Sequence, residues 1–254
     1  MKTSTLASLL ASAAAMLAGV AAALGLLWSP NTPINGGFTS VHGELITLTG
    51  HGLYRLEALF FGAGYRGQDV VTLFMAVPAL LFVSWRAWAD GAIQWLVLRL
   101  GLVTFFAYIY GTMAFGAFYN ELFLLYVATL WTSLVALALS ARELHARLSS
   151  NWAFLASSVP RTGPALLLSI CGLFTGFIWA QPLISALLAE TPPPLLFHAT
   201  TKVTEALDLA IVAPSAILAA WLVCKRRLDG YMLAVPLLSL IVMLFPTITA
   251  STIS

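Results

Sequence analysis

Apolar runs of about 20 residues recur along this chain, and its few charges fall almost entirely in the short gaps between them. A run of that length crosses the hydrocarbon core of a bilayer as an α-helix. Lipid offers the backbone no hydrogen-bond partners, so each run must satisfy its N–H and C=O groups internally. Only 9% of the residues are charged and 60% are hydrophobic. A soluble domain has roughly a quarter of its residues charged. The fold class is therefore an all-α membrane protein, one transmembrane domain over residues 1–254.

Seven spans are expected, at about 5–28, 69–85, 93–115, 119–141, 164–188, 206–224 and 231–251. The first could be taken for a secretory signal, with Ala21, Ala22 and Ala23 as cleavage-site residues. Its apolar run is longer than the roughly 7–15 residues of a signal core, so a retained first helix is expected. Orientation follows from the excess of Lys and Arg on cytoplasmic segments. With the N-terminus in the cytoplasm, Lys2, Arg86, Arg142, Arg147, Arg161, Lys225, Arg226 and Arg227 lie inside. Arg99, within the third span, is expected to snorkel to that side. Arg55, Arg66 and Lys202 lie outside, so nine of the twelve cations face the cytoplasm and the C-terminus is outside. The setting expected is a bacterial cytoplasmic (inner) membrane.

The stretch 41–65 mixes apolar and polar residues. Leu53, Leu56, Leu59 and Phe60 fall at helical spacing with Arg55 and Glu57 between them. A short interfacial helix on the outer face is expected there, framed by glycines 50, 52, 62, 64 and 67. Tyr108, Tyr110, Phe115, Phe118, Tyr119, Phe123 and Tyr126 crowd the outer halves of spans three and four, as an interfacial aromatic belt would. Pro78, Pro214, Pro236 and Pro246 fall inside spans, where each frees a carbonyl that neighbours must satisfy. Kinks for packing are the plain reading, and a broken-helix binding site is the sharper one. On the inner side, Leu144, Leu148, Trp152 and Leu155 fit either a continuation of span four or an amphipathic turn on the membrane surface.

Asp69, Glu121, Glu205 and Asp208 all fall at outer span ends. A carboxylate at a helix N-terminus faces unpaired N–H groups and the positive end of the helix dipole. That rule alone accounts for most of these charges. The functional alternative is a polar cleft open to the outside, with Asp208, Glu205, Asp69, Glu121, Asn120, Arg55, Arg66 and Tyr119 as candidate ligand-binding residues. Asp208 leads, since it precedes an apolar run and should face the bundle, with Arg55 or Arg66 as its expected partner.

Other chemistries lack their residues. His42, His51, His145 and His198 show no metal-binding spacing within a span, and loop histidines are mostly solvated, so no metal is expected. Cys171 and Cys224 sit singly in apolar runs and read as core residues. No P-loop, dinucleotide fingerprint or nucleophile elbow occurs, so no cofactor and no catalytic residues are expected. A net charge of +2 without a basic, aromatic-interleaved stripe argues against nucleic acid.

Three stretches resemble a group of uncharacterised bacterial integral membrane proteins. They are Gly52-Leu53-Tyr54-Arg55 with Arg66-Gly67-Gln68-Asp69, then Phe118-Tyr119-Asn120-Glu121-Leu122-Phe123, and Leu207-Asp208-Leu209 leading to Pro214. The resemblance implies a multi-span bacterial membrane protein and assigns no residue a role. The leading functional expectation is binding or transport of a small ligand or lipid head group at the outer cleft. The alternatives are an accessory subunit of a larger membrane complex, or a membrane enzyme acting on a lipid-like substrate. Membrane lipids are expected partners, together with other subunits or further copies of the chain under the subunit reading.

Overall fold

A computed structural model describes residues 3–30, 34 and 36–253; Lys2, counted above, lies outside them. Among these residues seven helices are long and apolar enough to cross a membrane. The spans are α1 (Thr3–Leu27), α2 (Leu59–Val71) continued through a π-helical turn into α3 (Val77–Ala89), α4 (Ile93–Gly116) and α5 (Phe123–Ser149). After the short α6 (Trp152–Ser158) come α7 (Thr162–Leu188), α8 (Val203–Leu207) continued through a second π-helical turn into α9 (Ala213–Cys224), and α10 (Leu228–Ile253). The protein is a multi-pass α-helical membrane protein. The end carrying Glu121 and Glu205 is called the acidic end below, and the end carrying Arg86, Arg142 and Lys225 the basic end.

Small residues decide how the first helix packs. Ala7, Ala11, Ala14, Ala15, Ala18, Ala21 and Ala22 recur at helical spacing and are all buried. A face without bulk lets helix backbones approach closely, which supplies van der Waals contact where lipid removes the hydrophobic drive. The opposite face of α1, with Leu9, Met16 and Val20, is exposed as a lipid-facing surface must be. One core cluster joins α1, α3, α4 and α5, built on Ala15, Leu80, Phe105, Phe106, Tyr110 and Tyr126. A second joins α7, α9 and α10 through Leu168, Ala216, Ala219, Val223 and Leu237. The molecule is thus a four-span half and a three-span half, and α10 of the second also packs against α2 and α4 of the first.

The segment before the second span differs from expectation. Leu53 to Leu56 form a turn, and no separate helix lies on the surface there. Two short strands, β1 (Gly37–Thr39) and β2 (Leu45–Thr47), pair antiparallel with Phe38 opposite Ile46. Leu48 then bridges Ala58, Thr49 N–H donates to Glu57 O at 2.8 Å, and Gly50 N–H donates to Arg55 O at 3.0 Å. Gly50 and Gly52, at φ of +77° and +68°, make this reversal, a left-handed conformation that other residues adopt at a cost. The reversal folds Leu53 and Tyr54 inward, where both are buried. Helix starts only at Leu59 and runs unbroken into the span, so Gly62, Gly64 and Gly67 belong to the membrane helix.

The prolines at 78 and 214 have a shared consequence. Each stands two residues beyond a five-residue π-helical turn, Thr72–Ala76 and Asp208–Val212. Val77 N–H donates to Thr72 O, and Ala213 N–H donates to Asp208 O, both five residues back. Proline lacks an N–H and its ring collides with the carbonyl four residues earlier. The widened turn absorbs that collision without ending the helix. At the basic end, α5 continues to Ser149, so Leu144 packs as part of the span. The separate α6 docks on the α9–α10 corner, Trp152 Nε1–H donating to Arg226 O at 2.9 Å.

Gly67 shows how tightly α10 lies against α2. A Cβ there would stand 2.3 Å from Ser251 N and 2.5 Å from its Cα, whereas at Gly64 it would meet nothing within 4 Å. Gly67→Ala should therefore lower stability by roughly 1–3 kcal/mol, the usual cost of overpacking. Gly64→Ala should be neutral. Thermal unfolding of the two variants in detergent measures the contrast.

Candidate functional site

The two helices interrupted by π turns each bury an aspartate. Asp69 is ten residues into the helix that starts at Leu59, about 15 Å along it, so the helix-end account given above does not hold for it. It is 2% exposed, and Tyr54 O–H donates to its Oδ2 at 2.6 Å. Gly25 of α1 faces the pair, and a Cβ at that position would lie 2.0 Å from the same oxygen. Three further tyrosines surround this point. Tyr65 lies 5.4 Å from the Tyr54 ring, and Tyr110 and Tyr126 lie 6.1 Å from each other. Burial first, and the Asp69 charge second, push the Tyr54 hydroxyl well above its usual range, so it stays a donor. Gln68 Nε2 and Thr72 Oγ1, on the same helix, are buried without a hydrogen-bond partner among the described residues. Arg66, on the same helix, forms no ion pair with Asp69 among the described residues.

Asp208 is the first residue of the second π turn and is 8% exposed. Tyr108 O–H of α4 donates to its Oδ1 at 2.8 Å, and Trp179 Nε1–H of α7 donates to its Oδ2 at 2.8 Å. The expected partnership with Arg55 or Arg66 is corrected: both donors are neutral. The helix turns Asp208 toward α4 and α7, while Arg55 is held elsewhere. Asp208 lies 16 residues before Cys224, the last residue of its helix, and Asp69 lies 20 before Ala89, the last residue of its own, so they stand about 24 and 30 Å from those ends. Both carboxyls thus lie toward the acidic ends of their helices.

The remaining candidates form separate contacts at the acidic surface. Arg55 Nη2–H donates to Glu121 Oε1 at 2.6 Å. That bond, first among its causes, holds the Glu121 carboxyl below the usual range. Glu205 pairs with Lys202 at 2.7 Å, one turn apart on the chain. Asn120 shapes the entry to α5, its Oδ1 accepting from Leu122 N–H at 2.9 Å. Tyr119 is 74% exposed and rests on Phe123 with ring centres 5.4 Å apart. The aromatic group divides accordingly: Tyr110 and Tyr126 are core residues, while Phe115 and Tyr119 face outward.

Two buried polar contacts escape a reading of the sequence. Glu57 and His198 are buried together, with Oε2 3.1 Å from Nε2 and the other carboxylate oxygen accepting from Phe118 N–H at 2.6 Å. Phe61 and Phe118 flank the imidazole at 5.7 and 5.4 Å. This contact pins the segment before α8 onto the turn before α2. At the other end Arg99 does not snorkel. It is wholly buried, bonded to Glu143 at 2.5 Å, Ser8 at 2.7 Å and Ser140 at 3.1 Å. Three helices thereby share one cation. The spacing of 44 residues between Arg99 and Glu143 carries no local signal.

Among the described residues, no three His, Cys, Asp or Glu side chains gather as metal ligands would. His42 and His51 are exposed. No protein-family model, curated protein or solved structure matches the chain.

Arg99→Leu should cost about 3–5 kcal/mol, because it leaves Glu143 buried and uncompensated. Replacing both residues by leucine should recover most of that loss, which unfolding of the single and double variants measures. Glu121 supports a pH test. Its contact with Arg55 stabilises the fold fully above the unfolded glutamate value of about 4.3, and the gain fades as pH falls through the lowered folded value. Arg55→Gln should cost less than about 1 kcal/mol near neutrality, the usual worth of an ion pair open to solvent. The difference from the parent should close in acid.

Proposed function

We propose that this protein binds a small cationic solute, the proton being the smallest case, at the acidic end of its bundle, in a transport or sensing role. The observation that carries the reading is the pair Asp69 and Asp208. Both are buried, neither forms an ion pair among the described residues, and each lies beside the π turn of a proline-bearing helix. A buried carboxylate without a countercharge is expensive unless it holds a proton or meets a cation. Each oxygen of Asp208 accepts one hydrogen bond from the described residues, and a carboxylate has about four acceptor sites, so room for a further donor remains. Interrupted membrane helices are a recurring way to present such groups. Ionisable residues at this depth are functional candidates by default.

The bias of Lys and Arg toward the basic end supports placing that end in the cytoplasm of a bacterium and the acidic end outside. The solute would then enter from outside. The exposed side of α7, with Leu166, Ile170, Leu173, Phe174 and Phe177, suits lipid, so the subunit reading gains no observation of its own.

The protein reconstituted in liposomes with an internal pH dye should respond to imposed gradients of protons, sodium, potassium or ammonium. Asp208→Asn keeps shape and removes the charge, and it should bring the response to the level of empty liposomes; Asp69→Asn should weaken it. If the folded parent moves none of these ions and its melting temperature ignores all of them, the reading fails. Full activity in Asp208→Asn would also end it.

A further inference from the structure

At the basic end a groove of about 540 Å³ opens between α5 and α10. Its floor is apolar, made by Ala141 from one helix and Met232 and Leu233 from the other. Its rim is polar, made by Arg142, His145 and Asp229. Asp229 is already engaged by Arg227 at 2.9 Å. Arg142 and His145 form no hydrogen bond or ion pair with any described residue, whereas Arg99 is held by Glu143, Arg147 by Gly91 O and Arg226 by Ala156 O. The available charge at this rim is therefore positive.

Depth points to the kind of molecule that fits. Arg142 stands 19 residues after Phe123, the first residue of α5, and so about 29 Å along that helix. A hydrocarbon core is about 30 Å thick, which puts the guanidinium at the level of lipid phosphates. We infer that this groove seats an anionic phospholipid, its phosphate on Arg142 and the upper part of one acyl chain against Ala141, Met232 and Leu233. Guanidinium presents a planar fork of donors that matches phosphate oxygens. His145, one turn further on, adds a donor on the same side. Methionine adapts its shape to an irregular apolar chain. Basic recesses between membrane helices are a recognised setting for such headgroups. The inference is independent of the cation site, which lies at the opposite end of the bundle.

The test uses the purified full chain in mild detergent, with phosphatidylglycerol or phosphatidylcholine of identical acyl chains. Native mass spectrometry should show one phosphatidylglycerol retained where phosphatidylcholine is stripped, and phosphatidylglycerol alone should raise the melting temperature. Arg142→Gln should reduce retention about five-fold, the worth of one basic contact at a membrane surface. Met232→Trp fills the floor and should reduce retention with Arg142 intact. Arg161→Gln, a basic-end arginine outside the groove, should change nothing. Equal retention of the two lipids, or parent-like retention in a folded Arg142→Gln, overturns the assignment. Displacement of phosphatidylglycerol by inorganic phosphate alone would overturn it too, since the apolar floor would then have no part. Should Met232→Trp fail to fold, the arginine variant decides alone.

Discussion

Asp208 takes one hydrogen bond from Tyr108 on α4, which ties the three-span half of the molecule to the four-span half, and one from Trp179 on α7, which fixes α7 within its own half. The bond from Trp179 adds a directional contact to the packing of α7 against α9. Its neighbours are α9, α10 and the π turn, and most of its length faces outward. In lipid the apolar side chains of α7 gain nothing by leaving the hydrocarbon, so directional bonds and close packing must place it. The carboxyl that anchors α7 is also the group with spare acceptor capacity. Whatever binds Asp208 therefore acts on the junction between the halves.

The same logic runs through the other buried polar contacts. Arg99 draws α1, α4 and α5 together near the basic end through Ser8, Ser140 and Glu143. Glu57 and His198 clamp two surface segments over the acidic end. Each uses the high cost of an unsatisfied charge in a dry setting to select one arrangement of helices. Asp69 does this with a neutral donor, Tyr54, and with the absence of a side chain at Gly25.

Span number and order were legible because about 20 apolar residues in a row admit one solution in a bilayer. The start of the second span was not, since residues 53–65 alternate polar and apolar in a way that suits a surface helix as well as a glycine-reversed turn. The depth of Asp69 was lost with that boundary: a helix beginning near 69 places it at an end, and one beginning at Leu59 places it inside. Asp208 was recognisable as inward-facing from its neighbours in sequence. Its donors were not, because Tyr108 and Trp179 come from helices 100 and 29 residues away and resemble any other membrane aromatics. Arg99 misled for a related reason. A lone arginine near a span end has two low-cost solutions, water or a buried carboxylate, and only the three-dimensional arrangement reveals that Glu143 is within reach.

The seam between α2 and α10 carries a consequence for biosynthesis. Ser251 Oγ–H donates to Gly64 O across 187 residues, and the α10 backbone lies where a side chain at Gly67 would be. A ribosome delivers α2 long before it delivers the last turn of α10. Until α10 arrives, the face of α2 at Gly64 and Gly67 lacks its native cover. Contacts this distant in sequence form slowly. The second span is consequently open to a wrong neighbour while the chain is being made, and closure of this seam waits on α10.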